Sequence, residues 1–273
     1  MTLNLSIASD CIVCDTTITN KDSSAARNQL LISDTLRKIH NVAFTAGEYL
    51  KFDVRYGFIT AGDAVMKVSD TLHSNGRKCF KIEFSVDSKP FFDIFYKVRD
   101  RYLSIVDAQG MFPWRFEQHI REGGYSRDFT ADFDQVSHIA KTSEGDHPIP
   151  PYVHDIMSAF YFARLVDYSN YLPGHKLHLQ NFYKDSTYEL DVKFKGRQTI
   201  EVGAGTFKCI IVEPLAREGG LFKSEGRVLI WLTDDERKIP VKVSTKVAIG
   251  SIDSELVEYQ GINGSISAKV KEE

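Results

Sequence analysis

Cysteine is scarce: four residues in 273, too few for a disulfide framework in a chain of this size. Cys11 and Cys14 form a CxxC, but in redox proteins that pair opens a helix whose N-terminus lowers the thiol pKa. Here it stands in a polar leader with no second pair, and a structural or incidental use is favoured over redox or zinc chemistry. Cys79 and Cys209 fall in alternating segments and read as small buried apolar side chains. Long apolar runs are missing too. Nothing approaches the ~18 residues that span a bilayer; Val228 to Leu232 is strand-sized. The opening "MTLNLSIASDCIVCD" has no basic start and places Asp10 where an apolar run would continue. No signal peptide is therefore visible, and taken literally the chain is cytosolic; a start codon set too late would hide one. The net charge is only -3 with the two signs interleaved, which argues against nucleic acid as a partner.

Catalytic signatures are equally thin. There is no GxxxxGK[ST], no GxSxG and no HExxH. "GAGTFK" at 203–208 has two of the glycines of a dinucleotide fingerprint, but a strand pattern follows it where a helix is needed. It reads as a β-turn, and no cofactor is expected.

What the chain does have is alternation. Leu50, Phe52, Val54 and Tyr56 share one face of a strand, opposite Lys51, Asp53 and Arg55. Gly57 and Gly62 frame the connection to a second strand ending near Val68. Asn75-Gly76 predicts a tight primed turn. Phe80, Ile82, Phe84 and Val86 then alternate with charged and polar residues, and further strands are expected at 92–103, 112–121 and 125–133. "EGDHPIPPY" reads as an extended linker, after which Asp155 can cap a helix over about 155–170, terminated by Pro173-Gly174. Ile156, Ala159, Phe160, Ala163 and Val166 recur on it at helical spacing. Strands resume around 188–195, 207–213, 227–232, 239–247 and 252–260.

The sequence thus predicts an irregular leader over 1–44, with one short helix at 23–39, a single β-rich domain over 45–262 and a flexible tail over 263–273. An internal echo, including Arg-Glu-Gly-Gly at 121 and again at 217, suggests pseudo-duplicated halves (45–138 and 174–262) around the helix.

"GEYLKFDVRYGFITAGDAVMKV", "HDIMSAFYFAR", "VGAGTFKCIIVEP" and "VLIWLTDDERKIPVKV" with its "IGSIDSELVEY" finish resemble the bacterial domain-of-unknown-function family 3108 over roughly 46–260. The Gly-Phe-Ile-x-Ala-Gly turn and the Asp-Asp-x-x-Lys-Ile-Pro-Val segment are its most specific parts. The resemblance implies a strongly curved antiparallel sheet, an incompletely closed β-barrel similar to bacterial lipoprotein carriers of the LolA/LolB kind. It also implies a periplasmic or cell-envelope address.

Five histidines, His138, His147, His154, His175 and His178, lie near Asp146 and Asp155, but they straddle a proline-rich loop and a strand that separates neighbours onto opposite faces. No metal site is expected. Asp234-Asp235-Glu236 could supply the two carboxylates of a glycosidase, yet an acidic turn explains them as well. The aromatics are the stronger signal: Phe92, Ile94 and Tyr96 would share one strand face, Phe91 and Phe95 the other. A curved sheet with one helix leaves a concave apolar surface. We therefore expect a non-enzymatic module, lidded by the helix, that binds a lipid or lipoprotein acyl group against Phe52, Phe84, Tyr96, Trp114, Phe160 and Phe194. The alternative is a scaffold meeting an envelope protein partner through edges or loops such as 139–152. A hydrolase using His147 or His154 with Asp155 ranks third.

Overall fold

The computed structural model describes residues 36–73, 76–216, 227–247 and 249–271. The Cys11–Cys14 pair, most of the short helix, Asn75 and the second Arg-Glu-Gly-Gly fall outside them; residues 37–39, at the end of that helix, are irregular.

The described residues form fourteen strands. They are β1 (Tyr49–Tyr56), β2 (Ile59–Leu72), β3 (Lys78–Ser88), β4 (Arg99–Asp107), β5 (Pro113–Glu122), β6 (Tyr125–Asp134), β7 (Ile139–Thr142) and β8 (Gly145–Pro148). After a helix (Ile156–Ala163) come β9 (Lys176–Tyr183), β10 (Ser186–Val202), β11 (Gly205–Ala216), β12 (Val228–Thr233), β13 (Pro240–Lys246) and β14 (Ser251–Gln260). All belong to one antiparallel sheet in the order β8-β7-β6-β5-β4-β3-β2-β1-β14-β13-β12-β11-β10-β9. Two meanders therefore meet where the first strand pairs with the last. The edges, β8 and β9, are not paired with each other. Between them the chain leading into the helix makes one parallel bridge, with His154 N donating to Gln180 O and Phe182 N to His154 O. The barrel is incompletely closed, as expected.

Alternation places the core. Leu50 and Phe52 are buried while Lys51 and Asp53 stay partly wet, and Phe52 faces Ala64 on one side and Leu256 on the other. The inward face stops at Val54; Tyr56 is exposed. Register shifts at Lys51/Phe52, Val54/Arg55 and Phe194/Gly196 add the bulges that bend a sheet. Gly62 is held to glycine by a close approach, since a Cβ there would lie 2.6 Å from Asp87 O. The buried side chains fall into two apolar clusters, a large one around Leu50, Phe52, Phe129 and Tyr161 and a smaller one around Tyr168, Phe194, Ile210 and Leu232.

Four expectations need correction. The strand expected over 92–103 begins only at Arg99, because Lys89-Pro90 starts a helical turn at Pro90–Asp93. Proline at the first position lacks an N–H that such a turn cannot use and has the φ it needs. Phe91, Ile94, Phe95 and Tyr96 are consequently exposed and share no strand face. The linker over 144–152 is partly a hairpin strand, β8 pairing with β7, in which Pro148 pairs with Ile139 on an edge strand, where a missing N–H is tolerated. The helix spans Ile156–Ala163, not 155–170. The Tyr168 hydroxyl donates to Ala163 O, the acceptor that the next helical turn would need. Finally, residues of the expected tail dock: Lys208 N donates to Ala268 O, Ala268 N to Asp235 Oδ2, and Ala268 is buried.

Candidate functional site

Asp155 sets the helix. Its carboxylate accepts from Met157 N at 2.7 Å and Ser158 N at 2.9 Å, and the Ser158 hydroxyl accepts from Asp155 N, a complete capping box. Ser104 Oγ on β4 donates to the other carboxylate oxygen at 2.7 Å, which pins the helix start to the sheet. Burial raises the Asp155 pKa, against the lowering effect of these same hydrogen bonds.

The helix so placed turns Ile156, Met157, Ala159, Phe160 and Ala163 toward an apolar cleft of about 250 Å³. Leu190, Val192, Val212, Ile230 and Leu232 supply buried sheet walls, Met66 and Phe84 close the far side, and Pro214, Val228 and Val243 stand half-buried at the lip. No lining side chain carries a charge or a hydrogen-bonding group. Phe160 packs against both apolar clusters, so the cleft lies where they meet.

Of the six residues expected to line a ligand, Phe84 and Phe160 lie in the wall of this cleft. Phe52 is buried in the large cluster and Phe194 in the small one. Trp114 is buried elsewhere, its Nε1–H donating to Asp107 Oδ2 at 3.1 Å and its ring stacked on His73. Tyr96 is exposed beyond the helical turn. The aliphatic lining was missed as a site, although its signal was in the sequence: Ile156, Ala159, Phe160 and Ala163 at helical spacing, and Val228, Ile230 and Leu232 alternating.

Three of the residues considered for chemistry make structural contacts. His154 is buried, its Nδ1 3.3 Å from Ser158 Oγ and its Nε2 3.5 Å from Arg37 Nη2. Burial first, then the Arg37 charge, lower its pKa to about 3, which keeps the ring neutral. His178 Nδ1 on the edge strand β9 lies 2.6 Å from Oδ1 of the buried Asp191 on β10. Asp235 holds its turn, accepting from Arg237 N at 3.0 Å and from the Thr233 hydroxyl at 2.7 Å. These are the contacts of an acidic turn.

Comparison with known proteins gives a family and a fold. The model of the family described as "Protein of unknown function (DUF3108)" matches residues 51–257. No curated protein matches the chain. Among solved structures, a β-barrel-like protein of domain of unknown function DUF1849 from Brucella abortus is 9% identical, with a TM-score of 0.52 over 80% of this chain and 98% of that one. The hypothetical protein CT021 from Chlamydia trachomatis is 10% identical over 84% of this chain and 93% of its own, with a TM-score of 0.36. A putative exported protein with a YmcC-like fold from Bacteroides fragilis is 12% identical over 82% and 99%, with a TM-score of 0.32. The Brucella likeness supports the β-barrel-like architecture.

Proposed function

The chain belongs to the DUF3108 family, and from that premise we propose that it is a non-enzymatic envelope protein binding a hydrophobic ligand in the cleft beneath the helix. One observation carries the reading: a cleft of about 250 Å³ whose lining is entirely apolar, at the junction of two clusters. An apolar cavity of ~150 Å³ holds a benzene-sized guest and stays dry when empty. The cleft therefore suits a stretch of acyl chain or a ring, with the polar end of the ligand outside. Each buried CH2 would contribute about 0.8 kcal/mol, less the cost of ordering the chain. The envelope address rests on the family resemblance.

The test is to purify the full chain and compare native mass spectra before and after organic extraction, then titrate the extracted protein with a fluorescent fatty acid. An extractable lipid, or saturable one-site probe binding competed by unlabelled fatty acid, is the expected result. A protein that carries nothing and does not bind the probe would overturn the reading.

A further inference from the structure

Edge strand β9 is covered over only part of its length. His154 lies parallel to it beside Asn181, its N–H donating to Gln180 O at 2.9 Å and its C=O accepting from Phe182 N at 2.7 Å. The chain before His154 leaves the edge. Tyr152 has φ +58° and Val153 N bonds back to Pro150 O, so the backbone turns away.

The pattern set by His154 continues on β9 toward its start. Gln180 and Phe182 turn backbone groups to the edge, so His178 and Lys176 do the same. Gln180 N with His178 O, and His178 N with Lys176 O, are the pairs that further residues of a parallel strand would use. None of these groups has a hydrogen bond among the described residues, and all three residues are exposed.

A groove of about 700 Å³ runs along this bare edge, with Arg37, Tyr152, His154 and Phe162 across from Leu177 to Gln180. Arg37 stands at the His154 end. Its Nη2 is 3.5 Å from His154 Nε2, and its guanidinium lies 4.6 Å from the centre of the Tyr152 ring and 5.1 Å from that of Phe162. Nε donates to Gly110 O and Nη2 to Met111 O, whereas Nη1 makes no hydrogen bond and Arg37 no ion pair among the described residues. The groove's acids, Glu189 and Asp191, stand on β10, one strand back from the edge, and Asp191 is matched by Lys176 at 2.8 Å and His178 at 2.6 Å.

A row of unpaired N–H and C=O groups is complementary to another extended backbone. Such a strand must stop where His154 already occupies the edge. Running parallel to β9, it stops there with its carboxyl end, against the unmatched Arg37. Running antiparallel, it would bring an amine to the same cation. Charge therefore selects the direction.

We propose that this groove binds the extended carboxyl-terminal tail of a partner protein, added to β9 as a parallel strand at His178 and Gln180 with its terminal carboxylate on Arg37 Nη1. The inference does not rest on ligand binding in the apolar cleft, since groove and cleft share no lining residue.

The experiment is selection of the immobilised full chain against a library of random short peptides with free carboxyl ends, followed by fluorescence polarisation with the enriched sequences. Enrichment is expected, with the sequence preference confined to the last few residues. Amidating the terminal carboxylate should lower affinity roughly tenfold or more, the worth of a charge-assisted hydrogen bond. N-methylation scanned along the peptide should be costly at alternate residues, those whose N–H meets β9. Both changes are made in the peptide and leave the protein untouched. Arg37→Gln should weaken the free peptide and leave the amidated one as it was; His178→Pro, which removes an edge N–H, should weaken both. No enrichment would overturn the proposal, as would equal affinity of free and amidated peptides or methylation costs without alternation. So would enriched sequences that reproduce a stretch of residues 1–35 of this chain, or self-association of the wild type that His178→Pro abolishes, the edge then being taken by the chain itself or by a second copy.

Discussion

Arg164 and Glu48 form a two-pronged ion pair with both side chains buried: Nη1 to Oε1 and Nη2 to Oε2 are each 2.7 Å. Arg164 caps the helix and Glu48 immediately precedes β1, and Arg164 Nη2 also donates to Arg237 O at 3.2 Å. The guanidinium lies over the Phe44 and Tyr161 rings. The pair thus fixes the helix over the junction of the two meanders, and with it one wall of the cleft.

Removing one partner of such a pair strands a charge in the core, at a cost of about 3–5 kcal/mol. Arg164→Met and Glu48→Leu are each expected to lower the urea midpoint by that order. The double replacement, which strands no charge, is expected to cost clearly less than the two singles together. Additive losses would show that the pair is uncoupled.

Gly261 has φ +68°, and a Cβ built on it would lie 1.9 Å from Gly47 O, a backbone atom with no rotamer to change. Gly47 N is itself bonded to Val68 O. Gly261→Ala is expected to destabilise by more than about 2 kcal/mol, left-handed strain and collision together. Gly264→Ala makes the control. Its φ is +85°, but the nearest atom is the movable Arg237 Nη2 at 3.1 Å, so the loss should stay near ~1 kcal/mol. Equal shifts in thermal midpoint would remove the close approach as a cause.

The sheet was legible because a half-wet antiparallel strand writes its burial as alternation. Phe80 to Val86 and Tyr188 to Phe194 both show it. What alternation does not write is a site. Aromatic residues drew attention at Phe52, Trp114 and Phe194, yet large rings fill interiors more often than they leave space. The cleft formed where helix positions are small, at Ala159 and Ala163, against branched aliphatics from β12 and β13. Tyr96 was misplaced because alternation was read from Phe91 onward, over a helical turn at Pro90–Asp93 and a stretch that becomes a strand only at Arg99. The Arg164–Glu48 contact joins residues more than a hundred positions apart, and no local pattern signals it.

His154 supplies a pH dependence. The groups facing it are Ser158 Oγ, Arg37 Nη2 and the Phe162 ring, and its folded pKa is lowered to about 3 by burial and then by Arg37. In the unfolded chain the value returns to about 6.5. The unfolded state therefore takes up the proton first as pH falls. The stabilisation is complete above about pH 6.5 and declines by about 1.4 kcal/mol per pH unit towards pH 3. Between pH 6.5 and 5.0 the wild type should lose about 2 kcal/mol through this residue. His154→Asn should show a flatter slope whatever its stability at neutral pH. Parallel slopes in urea titrations would mean that His154 is protonated alike in both states.

The cleft reading is open to a substitution that fills the space without adding polarity. Ala159 is buried, lines the cleft and sits on the helix face opposite the branched residues of β12. Ala159→Phe would direct a ring into about 250 Å³ of apolar space, so part of the usual ~1–3 kcal/mol cost of overpacking should be offset by filling a void. The thermal midpoint should move little, while affinity for a fluorescent fatty acid should fall by roughly tenfold or more, the guest losing the methylenes that the ring displaces. Phe194→Leu is the counter-variant. Phe194 is fully buried in the smaller cluster but does not line the cleft, so it should lower stability and leave probe affinity near the wild-type value. If both variants bind the probe as the wild type does, the ligand sits elsewhere and the cleft is a packing gap. If both lose affinity in proportion to stability, the probe reports loosened packing rather than a site.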